Sequence, residues 1–133
     1  MRKVKDAMTK NVKTVCPSAT MAEAARLMKK DRIGCLVVTE GEGPVGIITE
    51  RDLAFKIIAE ERPLGTTVGE VMTRDLKTVD KEKSLRDAAK IMAAHLIRRL
   101  PVVEEGRLIG IITLDDIMKV EKMGEDTQMY SFS

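Results

Sequence analysis

A chain of 133 residues has room for one ordinary domain, or for two half-sized units that are marginal alone. Hydrophobic residues make up 44%, but aromatics only 2% with no Trp, so Val, Ile, Leu, Met and Ala must build the interior. Charged residues reach 33% while the net charge is only +2, which argues against a one-signed stripe for polyanions and for a soluble, mixed surface. No apolar run approaches the ~18 residues of a membrane span. The stretch Met1-Arg2-Lys3-Val4-Lys5-Asp6 leads into no signal-peptide core, so a cytoplasmic location is expected.

The chain repeats itself at a constant offset of 64 residues, and 18 of the 49 aligned positions from Val4/Val68 to Asp52/Asp116 are identical. A site in one half should therefore have a twin in the other. Cys16 and Cys35 fall outside this rule, facing Asp80 and Arg99, and form no CxxC pair. They read as two reduced, buried thiols of a cytosolic protein, with a disulfide as the alternative.

Each half opens with a short segment, Val4 to Thr9 or Val68 to Thr73, whose apolar residues recur at one-turn helical spacing. Lys13-Thr14-Val15 and Lys77-Thr78-Val79 are short and β-branched and read as strands. Thr20-Met21-Ala22-Glu23 and Ser84-Leu85-Arg86-Asp87 have capping-box spacing and open amphipathic helices. Leu36 to Thr39 with Val45 to Ile48, and Leu100 to Val103 with Leu108 to Ile112, read as hairpins. Pro101 should start its strand or lie at an edge, because it cannot donate to a central ladder. A helix is expected after each hairpin, from Glu50 to about Ala59 and from Leu114 to about Lys122. His95 falls at a helix end, where it reads as a charge partner for the dipole. The expected segmentation is 1–63, 64–124 and a tail at 125–133, whose Tyr130 and Phe132 could dock on a partner subunit.

The turns Gly46-Ile47-Ile48-Thr49-Glu50-Arg51-Asp52 and Gly110-Ile111-Ile112-Thr113-Leu114-Asp115-Asp116 carry the chemistry. Thr-x-x-Asp is itself a capping pattern, so a plain helix cap explains the spacing. The same turn also suits a nucleotide. A helix start offers unpaired N–H groups and a positive dipole end for phosphate, an Asp can accept two hydrogen bonds from the vicinal diol of ribose, and Gly46 and Gly110 let another group approach the strand. Both readings stand on the sequence alone.

These motifs resemble those of a CBS-domain pair, the cystathionine β-synthase type of repeat arranged as a Bateman module. The likeness rests on Val4-x-Asp6-x-Met8-Thr9 and Val68-x-Glu70-x-Met72-Thr73, the Thr14-Val15 and Thr78-Val79 strands, Leu100-Pro101-Val102-Val103 and the two Thr-x-x-Asp turns. It implies an α/β (α+β) fold of two β-α-β-β-α repeats packed sheet to sheet about a pseudo-two-fold axis, and a disc-like homodimer. It further implies a non-enzymatic sensor that binds AMP, ADP, ATP or S-adenosylmethionine in clefts between the repeats, with no cofactor required for catalysis. On that resemblance Asp52 and Asp116 hold ribose hydroxyls and Thr49 and Thr113 contact ribose or phosphate. Thr14, Val15, Thr78 and Val79 line the base end with the backbone around Ile33, Cys35, Ile97 and Pro101.

The halves differ where phosphate would lie. Arg98-Arg99 in the second replaces Gly34-Cys35 in the first and offers two guanidiniums, although a surface pair of salt bridges would also explain them. Arg51 offers a phosphate contact in the first half, where the second has Asp115. Val37 stands where the motif of the second half has Pro101.

Two other functional classes compete. A hydrolase needs an activated nucleophile or clustered metal ligands, and one His with no GxxxxGK[ST] loop argues against it. A nucleic-acid binder would have to rely on scattered Lys and Arg without an aromatic stacking surface. A purely protein-binding role, with a regulated protein that the sequence does not name, is the remaining alternative.

Overall fold

The computed structural model describes residues 2–122 of the chain. The tail with Tyr130 and Phe132 lies outside the described residues. The elements run as a 3-10 turn Val4–Asp6, then β1 Thr14–Val15, α1 Met21–Asp31, β2 Cys35–Glu40 and β3 Gly43–Thr49. They continue with α2 Glu50–Asp52, which passes into a π-helical stretch Leu53–Ile58, and α3 Val68–Val71. The second series is β4 Val79–Asp80, α4 Leu85–His95, β5 Arg99–Glu104, β6 Arg107–Thr113 and α5 Leu114–Lys122.

Both long helices start as their sequences dictate. The Thr20 N–H donates to Glu23 Oε1 at 3.3 Å and the Glu23 N–H donates to Thr20 Oγ1 at 3.1 Å; Ser84 and Asp87 repeat the exchange at 3.4 and 3.0 Å. These bonds satisfy N–H groups that a helix start otherwise leaves open. Each helix ends on a non-glycine residue in the left-handed region, Arg32 and Leu96, both at φ 55°. His95 closes α4, the last-turn position expected for it.

Two three-stranded sheets form, in the orders β1-β2-β3 and β4-β5-β6. The first strand of each runs parallel to the second, and the second and third form the hairpin. Pro101 therefore lies within the central strand β5, where an edge or strand-start position was expected. Its missing donor shows in the neighbouring strand: the Val37 N–H donates to Lys13 O at 3.3 Å in the first sheet, and Pro101 cannot make the matching bond. Pairing accordingly begins one residue later, at Val79↔Val102, and Thr78 falls outside the strand instead of inside it. The first sheet has the mirror restriction, since Pro17 follows β1 where Lys81 donates to Val103 O at 3.2 Å in the second.

The chain packs as two compact units, Lys13 to Leu76 (the first unit) and the residues up to Val12 together with those from Lys77 on (the second unit). Each unit thus takes the short leader segment of the other sequence repeat. In the second unit Val4 is fully buried with Leu85, Met92, Leu100, Ile112 and Ile117; in the first, Val68 and Val71 join Met21, Leu36, Ile48 and Ile57. Both cores are aliphatic, as the composition required. The strand glycines explain the close seating. A Cβ on Gly46 would lie 2.6 Å from Met72 Sδ and 2.9 Å from Thr73 O, and one on Gly110 would lie 2.6 Å from Met8 Sδ and 2.9 Å from Thr9 O. The group admitted by each glycine is therefore the leader, whose Thr73 and Thr9 exchange paired backbone bonds with Ile47 and Ile111.

Candidate functional site: the paired Thr-x-x-Asp turns

In each unit the last residue of the hairpin is the threonine that opens the next helix. Thr49 stands opposite Cys35 across the hairpin, and Thr113 stands opposite Arg99. The residue after each threonine is tied to the start of the central strand: the Glu50 N–H donates to Gly34 O at 3.0 Å and the Leu114 N–H donates to Arg98 O at 2.8 Å. The same backbone ring therefore holds Gly34-Cys35 beside one turn and Arg98-Arg99 beside the other.

The capping reading of the spacing is realised. In the second unit the Thr113 N–H donates to Asp116 Oδ2 at 2.9 Å and the Asp116 N–H donates to Thr113 Oγ1 at 3.1 Å. In the first, the Thr49 N–H donates to Asp52 Oδ2 at 2.8 Å and the Thr49 hydroxyl reaches the same oxygen at 3.3 Å. A cap does not use up the carboxylate, because an ionised Asp has about four acceptor positions on two oxygens.

The turns differ in their second oxygen. Lys56 Nζ lies 2.9 Å from Asp52 Oδ1 and also donates to Val71 O at 2.8 Å. Asp52 is only 8% exposed. Asp116 is half-buried, and among the described residues no cation sits at its second oxygen; the position matching Lys56 is Val120, which is buried in the core.

The remaining expected contacts divide into groups. Thr14 and Val15 form β1, which pairs with Val37 and Val38 of β2; Val79 pairs with Val102, and Thr78 immediately precedes it. Ile33 and Cys35 flank Gly34 at the entry to β2, and Ile97, Arg98 and Arg99 lead into β5 ahead of Pro101. The guanidinium of Arg51 lies over the Phe55 ring, 5.0 Å from its centroid, a cation–π contact on the helix surface. A pocket of about 330 Å³ in the first unit is lined by Ala25, Met28 and Lys29 of α1 with Arg32, Ile33, Gly34, Glu50 and Leu53; neither Thr49 nor Asp52 lines it. The carboxylate of Glu50 lies over Gly34, where a Cβ would collide with it.

Cys16 and Cys35 are not joined by a disulfide; Cys16 is exposed and Cys35 half-buried, where two buried thiols were expected. Among the described residues no three His, Cys, Asp or Glu side chains are grouped to hold a metal ion, and no helix is long and apolar enough to cross a membrane.

The family model for the CBS domain matches residues 4–59 and again 68–122. The chain belongs to the CBS-domain family. A curated relative, the CBS domain-containing protein YhcV of Bacillus subtilis, is 44% identical over 117 residues, which span 88% of this chain and 84% of that protein. Among solved structures, an uncharacterized conserved protein from Pyrococcus horikoshii superposes with a TM-score of 0.82 at 34% identity, covering 91% of this chain and 92% of its own. A CBS-domain containing protein from Agrobacterium tumefaciens gives 0.79 at 33% identity, covering 90% and 98%. The tandem CBS repeats and mixed α/β class expected from the sequence are those of the structure.

Proposed function

We propose that this CBS-domain protein is a non-enzymatic sensor whose regulatory ligand contains adenosine: AMP, ADP, ATP or S-adenosylmethionine. The observation that carries the reading is the second turn. Asp116 is fixed by its own cap through Oδ2, which leaves Oδ1 as an acceptor for a diol, while the backbone of Arg98 and Arg99 is tied to the same turn through the Leu114 bond and the Thr113 pairing. A carboxylate for ribose and two guanidiniums for phosphate are the complementary halves of one nucleotide.

In this reading Thr113 and Asp116 hold the sugar and Arg98 and Arg99 the phosphate, and Val79, Thr78, Ile97 and Pro101 border the base. Thr49, Asp52, Thr14, Val15, Ile33 and Cys35 are the corresponding set in the first unit, with Arg51 its cation. Regulation requires that the ligand bind two conformations unequally. The protein then acts in the cytoplasm, as a homodimer, by changing its affinity for a regulated protein partner.

The test is calorimetric titration of the full chain and of Asp116→Ala with AMP, ATP and S-adenosylmethionine. Loss of hydrogen bonds to a charged group should weaken binding roughly 10- to 100-fold with the fold intact by circular dichroism. Equal binding by both proteins, or no binding by either, contradicts the proposal.

A further inference from the structure

A further difference between the two turns lies one helical turn after each aspartate. Lys56 lies four residues after Asp52, and Val120 lies four after Asp116. The helical register explains why the lysine is free to turn back on the carboxylate. In α5 the buried positions are Ile117 and Val120, an ordinary one-turn spacing. After Asp52 the helix instead runs as a π stretch from Leu53 to Ile58, and the buried residue is Ile57. The wider turn moves the core position one residue along the chain. Lys56 is thereby released from the place that Val120 fills, and its ammonium is held at two points, Asp52 Oδ1 and Val71 O.

We infer that Lys56 is an internal ligand of the first turn, so that adenosyl ligands bind at Asp116 and reach Asp52 only by displacing this ammonium. The inference rests on the adenosyl-binding reading above and adds to it a specificity residue in the first unit. A ribose hydroxyl offers Asp52 a neutral hydrogen bond, whereas Lys56, itself 39% exposed, already gives the 11%-exposed Asp52 side chain a charge-assisted one. Displacement also strips Val71 O of its donor, which costs further free energy unless water or ligand replaces it. The first turn is thus occupied by the chain itself, and the second is the one that answers to ligand concentration.

The experiment is a set of calorimetric titrations with AMP and ATP on four full-length proteins: wild type, Asp116→Ala, Lys56→Met and Lys56→Met/Asp116→Ala. Lys56→Gln serves as a second variant in case the methionine protein loses its fold by circular dichroism. The expected result is one binding event per chain for wild type, weakened roughly 10- to 100-fold in Asp116→Ala. Lys56→Met should show two events, and the double variant one. Two events in wild type that Lys56→Met leaves unchanged would overturn the inference while sparing the adenosyl reading. Two events of which Lys56→Met loses one would also overturn it, making Lys56 a ligand contact. No event in any of the four proteins would overturn the adenosyl reading and the inference together.

Discussion

At the scale of single residues, this chain uses one grammar, hydroxyl-x-x-carboxylate, at several helix starts. At Thr20 and Ser84 it only starts a helix. Replacing either with Ala should cost about 0.5–2 kcal/mol in denaturant unfolding and leave ligand affinity unchanged. At Thr113 the same exchange forms, and at Thr49 the N–H and the hydroxyl both reach Asp52 Oδ2, but the carboxylate's second oxygen is engaged by Lys56 in one turn and by no described cation in the other. A cap leaves acceptor positions open on the carboxylate, which is why spacing alone left both readings open. The Lys56–Asp52 contact was within reach of the sequence as an i,i+4 pair, yet a charged pair at that spacing is ordinary on any helix surface. Its significance comes from the 8% exposure of Asp52 and the second anchor at Val71, which no pattern of letters reports.

At the scale of elements, α1, α4 and the hairpins could be read because their periodicity and caps are local signals. Two features could not. The π stretch after Asp52 has no composition of its own; it is the same Leu-Ile-Ile run an α-helix would use, shifted by one core position. Pro101 was expected at an edge, but β4 is so short that the central strand can accommodate a missing donor by starting its pairing at Val102. The glycines were expected to admit a neighbour, and the neighbour is the Met-Thr leader. Gly110→Ala should therefore overpack Met8 and the Thr9 carbonyl, destabilising the second unit by about 1–3 kcal/mol in urea unfolding. A substitution that costs nothing would contradict the close seating.

At the scale of the whole molecule, sequence repeat and folded unit are divided differently. The repeat runs from leader to final helix, whereas each compact unit takes its leader from the other repeat. The Val-x-x-x-Met-Thr pattern shared by the two leaders hides this exchange from sequence reading. Val4→Ala should remove core volume from the unit containing α4 and β6, by roughly 2 kcal/mol, though Val4 lies far away in the chain. Hydrogen exchange should then rise in α4 and β6 more than in α1 and β3. The leader is also held electrostatically: Lys3 Nζ and Lys5 Nζ lie 2.7 and 2.9 Å from the two oxygens of Glu82. Those bonds hold the Glu82 carboxyl down at about 2 and raise Lys3 above its ordinary value. A carboxyl whose value is lowered on folding contributes stability above its unfolded value of 4.5, and that contribution falls away as pH drops toward 2. Glu82→Gln should flatten the stability of the second unit across that window, and added salt should flatten it too, because the pair is exposed.

The central claim is that an adenosine-containing ligand is bound by the turn that joins β6 to α5. Hydrogen exchange read by mass spectrometry, with and without saturating AMP or ATP, tests it most directly. Ligand should slow exchange chiefly at Arg98 to Leu100 and at Thr113 to Asp116, with a smaller effect or none at Thr49 to Asp52. Unchanged exchange at Thr113 to Asp116 under saturating ligand would contradict it.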